Sequence, residues 1–166
     1  MALEVLVVDD EADIRELVSG VLEDEGYAVR TAADSSSALD AIEDRRPSLV
    51  LLDVWLQGSR MDGLQMLQEV KRRDPTLPVL MISGHGNLDT AVAAVREGAI
   101  DFIEKPFDDE ALLSAIRCAL ARHVEVFAEL VERLAIVCMK HVQQPPAARI
   151  GESLEQRVVV AAVCHV

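Results

Sequence analysis

The sequence predicts an α/β fold: a doubly wound sheet of five parallel strands with helices on both faces, followed by a C-terminal helical extension. Three observations carry this. Short apolar runs rich in β-branched residues, such as Val5-Leu6-Val7-Val8, recur along the chain, as strands buried on both faces require. Segments with apolar residues three and four positions apart separate those runs, the period of helices with one buried face. The alternation of strand and helix repeats five times, and parallel strands need helical crossovers between them.

The first strand is Val5 to Val8. Ile14, Leu17, Val18, Val21 and Leu22 then mark one face of a helix that Gly26 stops. Tyr27 to Thr31 reads as the second strand, and Ala38, Leu39 and Ile42 as a shorter helix. Leu49 to Leu52 is the third strand, followed by a helix carrying Leu64, Leu67 and Val70. Val79 to Ile82 is the fourth strand; its helix shows Leu88, Ala91, Val92 and Val95 and ends at Gly98. Asp101 to Glu104 supplies the fifth strand.

A last helix begins near Asp109. Its apolar positions, Leu113, Ile116, Leu120, His123, Phe127, Leu130, Leu134 and Val137, alternate spacings of three and four, the 3.5-residue period of a coiled coil. Val124, Val126, Val131 and Cys138 widen the stripe, which either forms a dimer seam or packs on the chain itself. Pro145-Pro146 ends the helix. The expected organisation is therefore a domain over 1–122, an extension of the final helix over 123–144 acting as a dimerisation linker, and a tail over 145–166 with no predicted structure.

Composition narrows the function. The 166 residues hold 29 acidic against 16 basic side chains, a net charge of −13 that repels phosphate backbones and anionic lipid, so direct nucleic-acid binding is not expected. No stretch approaches the roughly 18 uncharged apolar residues of a membrane span. Cys118, Cys138 and Cys164 lack zinc or redox spacing and read as reduced packing residues. With no basic leader before the first strand, the reading is cytoplasmic.

Ligands of open parallel sheets bind beyond the carboxyl ends of the strands. There the sequence places Asp9-Asp10 after strand one, Asp53 after strand three, Ser83 after strand four and Lys105-Pro106 after strand five. The acids could simply cap the first helix. Gathered at one edge, three carboxylates instead call for a cation, and oxygen-only ligands select Mg²⁺ or a similar hard ion. Lys105 adds a point charge and Ser83 a hydroxyl donor. That set equips a carboxylate for phosphoryl transfer, with Asp53 the best nucleophile.

These residues carry a resemblance. Val7-Val8-Asp9-Asp10-Glu11, Leu52-Asp53, Asp62-Gly63, Ser83-Gly84 and Lys105-Pro106, over residues 3 to about 122, resemble the receiver domain of two-component response regulators, which has the flavodoxin-like fold. Asp53 to Gly63 and Ile82 to Asn87 further resemble NtrX-like regulators of the nitrogen-regulation group. The resemblance implies Asp53 as phosphoacceptor for a sensor histidine kinase of the NtrY-like kind. It implies Mg²⁺ held by Asp10, Asp53 and the main-chain carbonyl of Trp55, with Asp9 acting through water. Ser83 and Lys105 would contact the phosphoryl group, and Phe102 would be the aromatic switch, although an aromatic at a strand end is commonly just packing. Trp55 and His85 would flank the phosphoryl pocket unless they are plain loop residues. The Lys105–Pro106 bond is expected to be cis, a form only X-Pro bonds adopt cheaply. Output would run through homodimerisation on the face of the fourth helix, fifth strand and final helix.

Two rival functions fit the residues less well. A Mg²⁺-dependent phosphohydrolase of the haloacid dehalogenase type needs a second acid two positions after its nucleophile, where this chain has Trp55. A phosphorylation-independent interaction module would have lost part of the acidic cluster or the lysine, and all are present. NtrX-like proteins continue into a nucleotide-hydrolysing module and a helix-turn-helix domain, and no phosphate-cradling glycine loop occurs here. The expectation is a stand-alone receiver, or a truncated or frame-shifted chain.

Overall fold

The structure, a computed structural model, describes residues 3–84 and 88–122. Its elements follow in strict alternation: β1 Glu4–Val8, α1 Ala12–Asp24, β2 Ala28–Ala32, α2 Ser35–Asp44, β3 Leu49–Asp53, α3 Gly63–Arg73, β4 Val79–Ser83, α4 Leu88–Arg96 and β5 Asp101–Glu104. A final helix, α5, is described over 109–122. The five strands form one parallel sheet in the order β2-β1-β3-β4-β5. This is the doubly wound arrangement that the alternating pattern predicts, in the flavodoxin-like form that the resemblance implies.

The unbroken apolar runs have a simple cause. Successive side chains of a strand point to opposite faces, and here both faces are covered. Leu6 and Val8 of β1, Val50 and Leu52 of β3, and Val79 and Met81 of β4 pack with Leu39 of α2, Met66, Leu67 and Val70 of α3, and Ala94 of α4. Their neighbours Val5, Val7, Leu49, Leu51, Leu80 and Ile82 pack with Val18 and Leu22 of α1 and Leu112, Ile116 and Ala119 of α5. Each fully buried Leu or Ile contributes about 1.5–3 kcal/mol of transfer free energy. A polar residue on either face of the central strands would forfeit that, so polar groups wait until each strand ends.

Three details differ from the sequence-based expectation. Strand β2 begins one residue later, at Ala28, because the Tyr27 amide donates to Leu22 O at 3.0 Å and closes the end of α1. Gly26, with φ of 86°, makes that closure accessible without a Cβ penalty. On α4, Val92 and Val95 are exposed while Ala94 is fully buried. The small residue lets the helix lie close to the sheet, so the large valines on its other faces point outward, contrary to the predicted stripe. Leu17 of α1 is likewise 57% exposed, the helix burying Val18 and Leu22 instead.

Cys118 is exposed on α5 rather than packed. Cys138, Cys164, His85, the helix extension over 123–144 and the tail over 145–166 lie outside the described residues. All described residues belong to one compact unit, Met1–His123. Among them no helix is long and apolar enough to cross a membrane.

The burial pattern makes a paired prediction for α1. Leu22→Ala should lower the unfolding free energy by about 2–5 kcal/mol, whereas Leu17→Gln should change it by no more than about 0.5 kcal/mol. Urea unfolding followed by circular dichroism measures both; equal losses would place Leu17 in the core.

Candidate phosphoryl-transfer site

Three strand ends converge because the strands run parallel and in register. β1 and β3 are neighbours, with Val8 opposite Leu52, so the residues that follow, Asp9 and Asp53, emerge side by side. One carboxylate oxygen from each of Asp9, Asp10 and Asp53 lies within 4.8 Å of the others. Asp9 and Asp53 are almost completely buried, at 2% and 4% exposure, and Asp10 is half-buried. Lys105, just past β5, reaches across β4 so that its Nζ donates to Asp9 Oδ2 at 2.8 Å and to Asp53 Oδ2 at 3.3 Å. Its Nζ also lies 3.7 Å from Glu11 Oε1.

Placement of the remaining expected residues is uneven. Ser83 is fully buried at the end of β4, and its carbonyl accepts from the Lys105 amide at 2.7 Å, tying the two strand ends together. The Lys105–Pro106 bond is cis. Trp55 is 54% exposed at the start of the loop after β3. Phe102 sits on β5 opposite Met81, half-buried and packed against the core layer that includes α4.

The electrostatics are unbalanced in a way that suits a cation. Burial drives the Asp53 carboxyl up from 3.8 to about 6, with the negative charge of Asp9 adding to the rise and Lys105 opposing it. Burial alone would pull the Lys105 ammonium down, but its hydrogen bond to Asp9 and the charge of Asp53 outweigh that and leave it raised. One lysine therefore holds the cluster without neutralising it. Asp53 Oδ1 is buried with no hydrogen-bond partner among the described residues, a costly state for a carboxylate oxygen. An orphaned oxygen beside two further carboxylates is the donor set that a hard divalent cation takes, so the residues present fit Mg²⁺.

Supporting residues that sequence reasoning passed over hold these groups in place. Arg15 Nη1 donates to the main-chain carbonyls of Asp9 at 2.7 Å and Asp10 at 3.0 Å, fixing the loop that carries both acids. Its only signal in the sequence is a lone base in an acidic stretch. Gly63 opens α3 directly behind Asp53: a Cβ there would stand 2.0 Å from Asp53 O and 2.7 Å from Val54 Cα. Its amide donates to Val54 O at 2.9 Å. Between them, the loop of residues 54–62 is clasped to α2, where Ser35 N donates to Ser59 Oγ at 2.8 Å and Ser59 Oγ to Ser35 Oγ at 2.7 Å. Nothing in the local sequence announces that clasp.

Comparison with known proteins decides the family. The response regulator receiver domain model matches residues 5–117. The chain belongs to the response regulator receiver family. It is 58% identical over 120 residues to the nitrogen assimilation regulatory protein NtrX of Azorhizobium caulinodans, covering 72% of this chain and 26% of that protein. This receiver thus spans about a quarter of the length of that curated relative. The crystal structure of the receiver domain of NtrX from Brucella abortus superposes with a TM-score of 0.69 at 62% identity, covering 70% of this chain and 98% of the other. The beryllofluoride-activated NtrC4 receiver domain dimer matches with a TM-score of 0.68 at 39% identity, over 72% of this chain and 98% of that one. The relatives named NtrX accord with the likeness read from the residues around Asp53 and Ser83.

The raised Asp53 carboxyl has a stability consequence. A group whose folded-state pKa lies above its unfolded value favours the fold at low pH, and the advantage is lost as pH rises through the folded pKa, here between 3.8 and about 6. In metal-free protein, Asp53→Asn should therefore be more stable than wild type at pH 7.5 by up to about 3 kcal/mol, with the difference shrinking at pH 4. Urea unfolding in chelator at the two pH values tests this; a difference that does not change with pH would contradict it.

Proposed function

We propose that this receiver takes a phosphoryl group from a sensor histidine kinase of the NtrY-like kind onto the carboxylate of Asp53, and that the phosphorylated form controls a downstream output. The observation that carries the reading is the Asp53 carboxylate itself, held by Lys105 through one oxygen while the other is left buried and unpartnered beside Asp9 and Asp10. In the transfer, an Asp53 oxygen attacks phosphorus and forms the new O–P bond. The P–N bond to the donor imidazole breaks, its electron pair staying on nitrogen, and phosphorus passes in line between them.

Asp10, Asp53 and the Trp55 carbonyl would hold Mg²⁺, with Asp9 helping through water; bound there, the ion would offset charge on the phosphoryl oxygens. Lys105, already placed between Asp9 and Asp53, contributes a second positive charge at the same carboxylate. Ser83 supplies a hydroxyl at the neighbouring strand end, and its carbonyl is bonded to the Lys105 amide. A shift of Ser83 or Lys105 toward a phosphoryl group would thus pull on the end of β5, where Phe102 packs half-buried against the core. That face, built of α4, β5 and α5, is the proposed homodimer contact. Val92 and Val95 already present exposed apolar surface on α4.

The phosphohydrolase alternative has no support here. Its second acid would stand where Trp55 does. Instead, Trp55 stands two positions after Asp53 with its side chain more than half exposed, and its indole would hinder the in-line approach of water to the acyl phosphate.

Incubation with Mg²⁺ and acetyl phosphate should add one phosphoryl mass to wild type and none to Asp53→Asn, because the amide cannot act as the nucleophile. Intact mass spectrometry reads the outcome, and an equal gain in the variant would remove Asp53 as acceptor. Trp55→Ala should shorten the lifetime of the phosphorylated form; a tenfold change corresponds to about 1.4 kcal/mol of barrier. A lifetime unchanged or longer, followed by mass over time, would show that the indole shields nothing.

A further inference from the structure

Charge is distributed very unequally between the two edges of the sheet. At the amino edge most of the bases are paired with acids. Arg46 pairs with Asp74 at 2.6 Å, Arg72 with Glu69 at 2.8 Å and Arg73 with Glu69 at 2.6 Å. Arg73 also reaches Glu43, and Arg45 reaches Glu4. The carboxyl edge is different. The stretches that leave β1 and enter α5 read Asp9-Asp10-Glu11-Ala12-Asp13 and Asp108-Asp109-Glu110, seven acids with no base among them. Lys105, three residues before Asp108, places its Nζ 2.8 Å from Asp9 and 3.7 Å from Glu11 of the first stretch, and its charge is engaged by Asp9 and Asp53. Arg15, also on this edge, turns its guanidinium to main-chain carbonyls, and Arg60 stands on the loop after β3. Glu11, Asp13, Asp109 and Glu110 are all exposed. Asp53, the proposed acceptor, ends its strand on this same edge, almost completely buried and with its Oδ1 unpartnered among the described residues.

We infer that the acidic rim selects the phosphodonor by charge: it admits a phosphohistidine presented on a basic protein surface and disfavours free anionic phosphodonors. The inference rests on the phosphoacceptor reading and names the chemistry of the donor. A free acyl phosphate brings its negative charge to a mouth of the same sign: the two charges of a bound Mg²⁺ with Lys105, Arg15 and Arg60 make five, short of the eight carboxylates that the two stretches and Asp53 supply. A donor with lysines or arginines around its phosphohistidine meets the opposite field, which raises the rate of encounter. The two effects share one signature, since added salt screens both. The Debye length falls from about 10 Å at 0.1 M to about 3 Å at 1 M ionic strength.

The test uses the full chain at saturating Mg²⁺ and three probes: acetyl phosphate, a short phosphohistidine peptide flanked by lysines, and its counterpart flanked by glutamates. Initial rates of phosphoryl mass gain are compared at 0.1 and 1 M ionic strength. For acetyl phosphate and the glutamate peptide the rate should rise at least threefold with salt. For the lysine peptide it should fall. The triple variant Asp13→Asn, Asp109→Asn, Glu110→Gln should weaken all of these changes. None of its residues belongs to the proposed transfer machinery, and the wild-type salt series stands as the test if the variant folds poorly. Mass gain at rates that ignore both salt and donor charge would overturn the inference and leave the phosphoacceptor reading intact. Absence of mass gain from every donor would overturn both.

Discussion

The carboxyl edge of the sheet depends on one arrangement, the buried Asp9 and Asp53 carboxylates bridged by Lys105 Nζ at 2.8 and 3.3 Å. Two acids with almost no exposure would be untenable without a counter-charge, yet a single lysine leaves one Asp53 oxygen unpartnered. Most of the surrounding structure can be understood as holding this partly compensated cluster in position. Arg15 grips the carbonyls of Asp9 and Asp10, the Ser83 carbonyl takes the Lys105 amide, and Gly63 permits α3 to start against the Asp53 backbone. The fold thereby sustains a site whose shortage of positive charge is the property that binding a cation would relieve.

Rigidity comes from the core on either side. β3 is buried along all five of its residues, so Asp53 stands at the end of a strand that cannot shift without moving both layers. Mobility has to come from the periphery instead. β5, by contrast, is an edge strand with no residue fully buried, and α4 touches the core through alanine while its valines face outward. A phosphoryl group at Asp53 therefore sits beside a fixed strand and within reach, through Ser83 and Lys105, of the least deeply packed part of the sheet. That contrast gives a physical basis for a switch that alters one face of the domain and spares the rest.

The sequence alone determined the order of elements, the parallel sheet and the identity of the acidic cluster. Strands buried on both faces have no alternative to unbroken apolar runs, and the first polar residues after each run must surface at the same edge; Asp9, Asp10, Asp53, Ser83 and Lys105 were legible for that reason. Contacts between segments distant in the chain were not. The Ser35–Ser59 clasp, the grip of Arg15 on main-chain carbonyls and the need for glycine at 63 arise only when loops meet, and no periodicity records them. The facing of α1 and α4 was decided at the same level. Periodicity weights Leu17, Val92 and Val95 by their size, whereas packing against the sheet chose Val18, Leu22 and Ala94 by the room available. Charge shows the division most plainly: composition set the acidic excess, and the tertiary fold paired the bases at one edge and left the other, around Asp53, negative.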